Sequence, residues 1–166
     1  MANFFGDGTN NDFLGTAFID NMFGGGGDDT LRGAGGTDLM FGGDGDDTFL
    51  YVNGEDAGPG ELIYGGIGSD RVLLQGLGVY DLRDGEFLSI EEIEFTFEDA
   101  SKFVYLGSDE LGSGQISDTL IIDGNFSGAN GADTVRVYVQ NGFNTVDISN
   151  WAFQDWQAAF DQITID

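Results

Sequence analysis

Gly24-Gly25-Gly26-Gly27-Asp28-Asp29-Thr30-Leu31-Arg32, Gly33-Ala34-Gly35-Gly36-Thr37-Asp38-Leu39-Met40-Phe41 and Gly42-Gly43-Asp44-Gly45-Asp46-Asp47-Thr48-Phe49-Leu50 are three consecutive copies of one nine-residue unit. The unit is written Gly-Gly-x-Gly-x-Asp-x-U-x, where U is a large apolar residue, with Ala34 in place of the second glycine in the middle copy. A fixed period of this kind points to a repeat architecture. Carried outward, the frame starts at Gly6, Gly15, Gly24, Gly33, Gly42 and Tyr51. Its sixth position holds Asn11, Asp20, Asp29, Asp38, Asp47 and Asp56, and its eighth holds Phe13, Met22, Leu31, Met40, Phe49 and Gly58. The first two units carry Asp7, Thr9, Thr16 and Phe18 in place of glycines. The frame breaks at Gly58-Pro59-Gly60 and returns at Gly65, with Asp70 and Val72 at positions six and eight.

A six-residue loop that reverses the chain needs positive φ at several positions, which glycine reaches without steric penalty. The x-U-x triplet reads as a short strand with one inward side chain. Consecutive units then form alternate sides of a flattened coil, and units two apart stack at about 4.8 Å. Phe13, Leu31, Phe49 and Val72 are expected in one sheet, and Met22, Met40 and Ile63 in the other. The same stacking sets Asp29 with Asp47 on one side and Asp20 with Asp38 on the other. Two carboxylates about 5 Å apart repel by roughly 3 kcal/mol at an effective dielectric near 20. Net stabilities are only about 5–15 kcal/mol. The array is therefore expected to need a divalent cation between its loops, and not to fold without one.

The totals agree. The chain has 166 residues, a formal net charge of -25, 29 glycines, one proline, no cysteine and no histidine. Its length suits one domain or one elongated array. Apolar residues make up 40%, including 15 Phe, which is too aromatic for a disordered acidic tail. Five Lys and Arg cannot neutralise the acids, and they argue against nucleic acid and anionic membrane surfaces as partners. No apolar run is long enough for a membrane span, and no cleavable signal peptide is expected at the N-terminus. Without His or Cys the available ligands are oxygens, which suit hard cations.

The units resemble the RTX (repeats-in-toxin) nonapeptides of secreted bacterial proteins, the hemolysin-type calcium-binding repeats. The resemblance implies an all-β fold: a right-handed parallel β-roll of two sheets over residues 6–73. Residues 74–166 are expected to continue it as a less regular β-helix-like or capping segment. It also implies several Ca²⁺ ions, each between a loop and the loop two units later. The first loop supplies the carbonyls of positions two and four and the Asp of position six; the later loop supplies the carbonyls of positions one and three and its own Asp. Carried over, the strongest site joins Gly25, Gly27 and Asp29 to Gly42, Asp44 (by its carbonyl) and Asp47. A second joins Gly43, Gly45 and Asp47 to Gly65, Ile67 (by its carbonyl) and Asp70. On the opposite side Thr16, Phe18 and Asp20 meet Gly33, Gly35 and Asp38. Weaker candidates join Asp7, Thr9 and Asn11 to Gly24, Gly26 and Asp29, and Ala34, Gly36 and Asp38 to Asn53 and Asp56. Export by type I secretion, folding outside the cell and neighbouring domains in a larger secreted protein are further implications.

Strand-like segments continue at Arg71–Leu74, Tyr80–Leu82, Glu92–Phe97, Lys102–Leu106, Thr119–Ile122, Thr134–Gln140, Thr145–Ile148 and Gln162–Ile165. Asn150–Phe160 reads as either a short helix or a closing loop. Met1–Phe5 carries no motif. Glu91, Glu92 and Glu94 suit a solvated strand face better than a carboxylate pair for glycoside chemistry. Trp151 and Trp156 read as core or cap, with a sugar-stacking platform as the alternative. No nucleophile–base constellation can be named. Turn chemistry alone would explain the glycines and aspartates, but not their period. The function expected is a non-catalytic calcium module; the alternatives are an adhesin or glycan-binding segment and an accessory domain of a carbohydrate-active enzyme.

Overall fold

Among the described residues the x-U-x triplets become short parallel strands, and the inward residues of successive turns pile into columns. A computed structural model describes residues 1–54, 56, 60–76, 78–83, 85–96, 102–107, 116–123, 134–138, 152–154 and 162–165. One sheet contains β1 (Asn3–Phe5), β3 (Asn21–Gly26), β5 (Leu39–Asp44), β7 (Leu62–Ile67) and β10 (Glu86–Leu88). The facing sheet contains β2 (Asp12–Leu14), β4 (Thr30–Arg32), β6 (Thr48–Val52), β8 (Arg71–Gln75), β11 (Ile90–Thr96), β13 (Ile116–Asp123) and β15 (Ala152–Gln154). All neighbours pair parallel, as stacked turns of a β-solenoid require, and no helix occurs among the described residues. None is therefore long and apolar enough to cross a membrane.

The two expected core columns form. Met22, Met40 and Ile63 lie in register in the first sheet, and Phe13, Leu31, Phe49 and Val72 in the second. Met22, Leu31, Phe49 and Ile63 are fully buried, and each contributes about 1.5–3 kcal/mol by leaving water. Both columns run further than the nonapeptides do. In backbone register, Ile93, Ile122 and Phe153 follow Val72 along the second sheet, and Phe87 follows Ile63 along the first. Met1–Phe5 is part of the stack as well: Phe4 pairs with Met22, nine residues before Phe13, in the same frame.

The roll widens along the chain. Strands of the second sheet grow from three residues in β2 and β4 to five in β6 and β8 and seven in β11. The extra length brings a second inward pair, Tyr51 on Leu74, into the core. It also moves the turn outward, and a third sheet opens there: β9 (Gly78–Asp81), β12 (Lys102–Gly107), β14 (Thr134–Tyr138) and β16 (Gln162–Ile165). Tyr80, Val104, Val135 and Ile163 line up across it. Most of the expected later strands are present within one or two residues. Thr145–Ile148 lies outside the described residues, as do Trp151, Trp156 and Phe160; within Asn150–Phe160, Ala152–Gln154 is a strand.

Candidate metal centre

The glycine loops owe their shape to two positions. Position two is left-handed at Gly25, Gly43 and Gly66 (φ 104, 124 and 120°), and position four at Gly27, Gly45 and Gly68 (φ 94, 133 and 152°). Ala34 takes the same conformation at position two of its unit with φ 66°, although a Cβ disfavours it. Successive loops sit so close that a side chain on Gly43 would collide with the Gly25 carbonyl, and one on Gly66 with the Gly43 carbonyl.

These loops deliver the position-six carboxylates into two ladders. On one side the Asn11 amide donates to Asp29 Oδ1 at 2.7 Å, Asp29 to Asp47 Oδ1 at 2.8 Å, and Asp47 to Asp70 Oδ1 at 2.9 Å. On the other, the Asp20 amide donates to Asp38 Oδ1 at 2.8 Å. One oxygen of each carboxylate is thus consumed by the neighbouring turn. The second is not: Oδ2 of Asp29, Asp38, Asp47 and Asp70 is buried with no hydrogen-bond partner. Each lies against the first glycine of its own loop, Gly24, Gly33, Gly42 and Gly65 respectively. A buried carboxylate oxygen left unpaired costs about 1–3 kcal/mol or more, so four in one array mark places prepared for a cation.

The electrostatics carry the same signature. Burial, reinforced by the neighbouring acids of the ladder, pushes Asp38, Asp47 and Asp70 up to about 6, and burial raises Asp29 as well. Asp20 differs. Its burial is more than offset by the Thr16 and Ala2 amides and the Thr16 hydroxyl, which hold its carboxyl below the usual range.

The expected ligand positions are distributed unevenly over this geometry. Gly25, Gly27, Asp29, Gly42, Asp44 and Asp47 come together between adjacent turns, with Gly25 opposite Gly43 and Gly26 opposite Asp44. Gly43, Gly45, Asp47, Gly65, Ile67 and Asp70 repeat the arrangement in the same register, because the extra residues before Gly65 fall between β6 and β7. The Asp44 carbonyl accepts from the Gly27 amide, and that of Ile67 from the Gly45 amide, both at 2.8 Å, leaving each one lone pair. Thr16 and Phe18 stack on the Gly33–Gly36 loop without the left-handed backbone of glycine units, and Thr16 fills the place beside Asp20 Oδ2. Asp7 turns its carboxylate to Thr9 instead of the ladder, while its carbonyl accepts from the Gly26 amide.

Asp56 lies close enough for its charge to help raise the Asp38 carboxyl, but the register sets a different residue opposite Asp38. Leu39 pairs with Leu62, so the next turn brings Glu61 beside Asp38, and Asp56 instead binds Arg32 Nε at 2.8 Å. Extra residues precede the return of the frame at Gly65, which counting in nines does not follow. The Glu91–Glu94 stretch is likewise no simple solvated face. All three glutamates there are half-buried; Glu91 accepts the Asp70 amide at 2.9 Å and Glu94 meets Arg71 at 3.3 Å. Sequence reasoning missed Glu61 and Glu91. Both stand two residues before a core-column residue, Ile63 and Ile93, which is the spacing from Asp to U in the repeat.

Oxygen donors alone, in carboxylate–carbonyl alternation, fit Ca²⁺, which takes six to eight such ligands. No group of three or more acidic side chains is arranged to hold a metal ion among the described residues, so a cation here depends on backbone carbonyls for the rest of its shell. Comparison with protein families matches residues 14–49 to the RTX calcium-binding nonapeptide repeat, in four copies. This segment is similar to an RTX repeat array. The RTX match covers about a fifth of the chain and ends before the unit at Gly65. Comparisons with curated proteins and with solved structures returned no match.

Proposed function

We propose that this chain is a non-catalytic module that folds when Ca²⁺ binds between the loops of its roll. The observation that carries the reading is the set of four buried, unpartnered Asp Oδ2 atoms in a two-sheet roll of RTX type. The assigned sites are Gly25, Gly27 and Asp29 with Gly42, Asp44 and Asp47, then Gly43, Gly45 and Asp47 with Gly65, Ile67 and Asp70. A third, with fewer open oxygens, joins Asp20 to Asp38 through the carbonyls of Thr16, Phe18, Gly33 and Gly35. Residues 6–73 form the calcium-dependent part and 74–166 its continuation.

The location follows from the same chemistry. Extracellular calcium modules bind at about 10⁻⁴–10⁻³ M, and binding energy becomes folding energy where the apo site does not exist. An unfolded chain in a low-calcium cytosol, exported and folded outside a bacterial cell by way of type I secretion, is the setting this supports. The test is a calcium titration followed by far-UV circular dichroism. Parallel β signal is expected to appear at sub-millimolar to millimolar Ca²⁺ and vanish with EDTA. A fully folded protein in EDTA at neutral pH overturns the reading.

A further inference from the structure

We infer an additional calcium site beyond the matched repeats, between the loop Gly65–Asp70 and the segment Ser89–Glu91. The inference rests on the calcium reading of the roll and extends it to a turn that has no nonapeptide.

Four features place it. Asp70 is fully buried, and its Oδ2 has no partner although its Oδ1 already serves Asp47. Gly66 and Gly68 keep the left-handed backbone of the glycine loops, so the lower half of the site has the same shape as those loops. Above it, the Ser89 carbonyl overlies Gly65 just as the Gly65 carbonyl overlies Gly42 and the Gly42 carbonyl overlies Gly24. Ser89 reaches that place only by taking φ 54°, a left-handed conformation costly for a residue with a Cβ. Finally, Glu91 accepts the Asp70 amide at 2.9 Å, as Asp70 accepts that of Asp47 at the same distance.

Glu91 therefore occupies the position-six role of a shortened unit. Only one residue separates Ser89 from Glu91, against four between Gly65 and Asp70. A glutamate has one methylene more than aspartate, which suits a turn whose loop has been cut down. The donors are the carboxylates of Asp70 and Glu91 and the carbonyls of Gly66, Gly68 and Ser89, with water completing the shell. All are oxygens, so the site takes a hard divalent cation and Ca²⁺ in preference to a transition metal.

Native mass spectrometry of the full chain with calcium chloride counts the ions directly. Glu91→Gln keeps the acceptor for the Asp70 amide and removes the charge, so a merely structural Glu91 would leave the count unchanged. We expect one ion fewer per chain, with the dichroism of the calcium-loaded protein retained. An unchanged count overturns the terminal site. Should Glu91→Gln not fold, Asp70→Asn decides: two ions lost supports a residue shared by two sites, and one lost overturns it. A wild-type chain that binds no calcium at all overturns the reading of the whole roll, a result distinct from loss of this site alone.

Discussion

The loops Gly15–Asp20 and Gly42–Asp47 occupy the same frame and aim the same carboxylate at the same place, yet they leave it in opposite states. Asp47 Oδ2 is buried without a partner and its carboxyl is pushed up to about 6. Asp20 Oδ2 receives the Thr16 amide at 2.6 Å and the Thr16 hydroxyl at 2.8 Å, and its carboxyl is pulled below the usual range. The sequence difference that accounts for this is small: Thr16 stands where Gly43 does. Glycine at position two thus does more than permit φ 124°. It also brings no hydroxyl, so the carboxylate oxygen stays open to an ion.

The largest test of that contrast is a pair of substitutions. Asp47→Asn strips a charged ligand from two proposed sites; losing charged hydrogen-bonding partners costs about 1.5–3 kcal/mol each. The calcium concentration for half-folding is expected to rise by about ten- to a hundred-fold. Asp20→Asn touches a carboxylate already satisfied from within its loop and belongs to one site, so its midpoint should move several-fold less. Equal shifts in the two dichroism titrations would dissolve the distinction between the loops.

Acidity sharpens it next. Asp38, Asp47 and Asp70 hold a proton more tightly folded, at about 6, than unfolded, at about 3.9. Their protonation favours the ion-free fold, fully below about pH 4 and not at all above about pH 6. Asp20, with its folded value lowered, has the opposite sign: its contribution is present above about pH 3.9 and lost below. In EDTA, lowering the pH from 7 to 5 is expected to raise the β signal. With calcium present the same change should weaken apparent calcium affinity, because protons and Ca²⁺ compete for the same oxygens. A calcium midpoint that does not change between pH 7 and pH 5 would contradict the raised values.

Much of this was legible in the sequence because the repeat writes local and global structure in one code. The frame placed Met22 on Met40 and Leu31 on Phe49, and it stacked Asp29 under Asp47. It could not place Glu61 or Glu91, since both follow loops whose length departs from the period. What survives such departures is the ladder register: the inward apolar residue returns to its column, and the acid two residues earlier returns to its rung. The state of each oxygen was equally illegible. Whether Asp20 is open or closed depends on where the Thr16 hydroxyl and amide point, and a pattern of residue types does not carry that. The third sheet is legible only in hindsight, through the lengthening from Thr30–Arg32 to Thr48–Val52.

The smallest effect asks whether a single hydroxyl separates the two kinds of loop. Thr16→Gly removes a 2.8 Å hydrogen bond to Asp20 Oδ2, worth about 1 kcal/mol, and loosens the unfolded chain by a further 0.5–1 kcal/mol or so. At limiting calcium the thermal midpoint should fall by a few degrees, at about 2–4 °C per kcal/mol for a chain of this size. The exposed oxygen then becomes available to an ion held with Asp38, so the deficit should shrink or reverse as calcium is raised to saturation. A deficit that stays constant across the titration would mean that the Thr16 amide alone keeps Asp20 closed, and that the glycine matters for backbone shape and not for the missing hydroxyl.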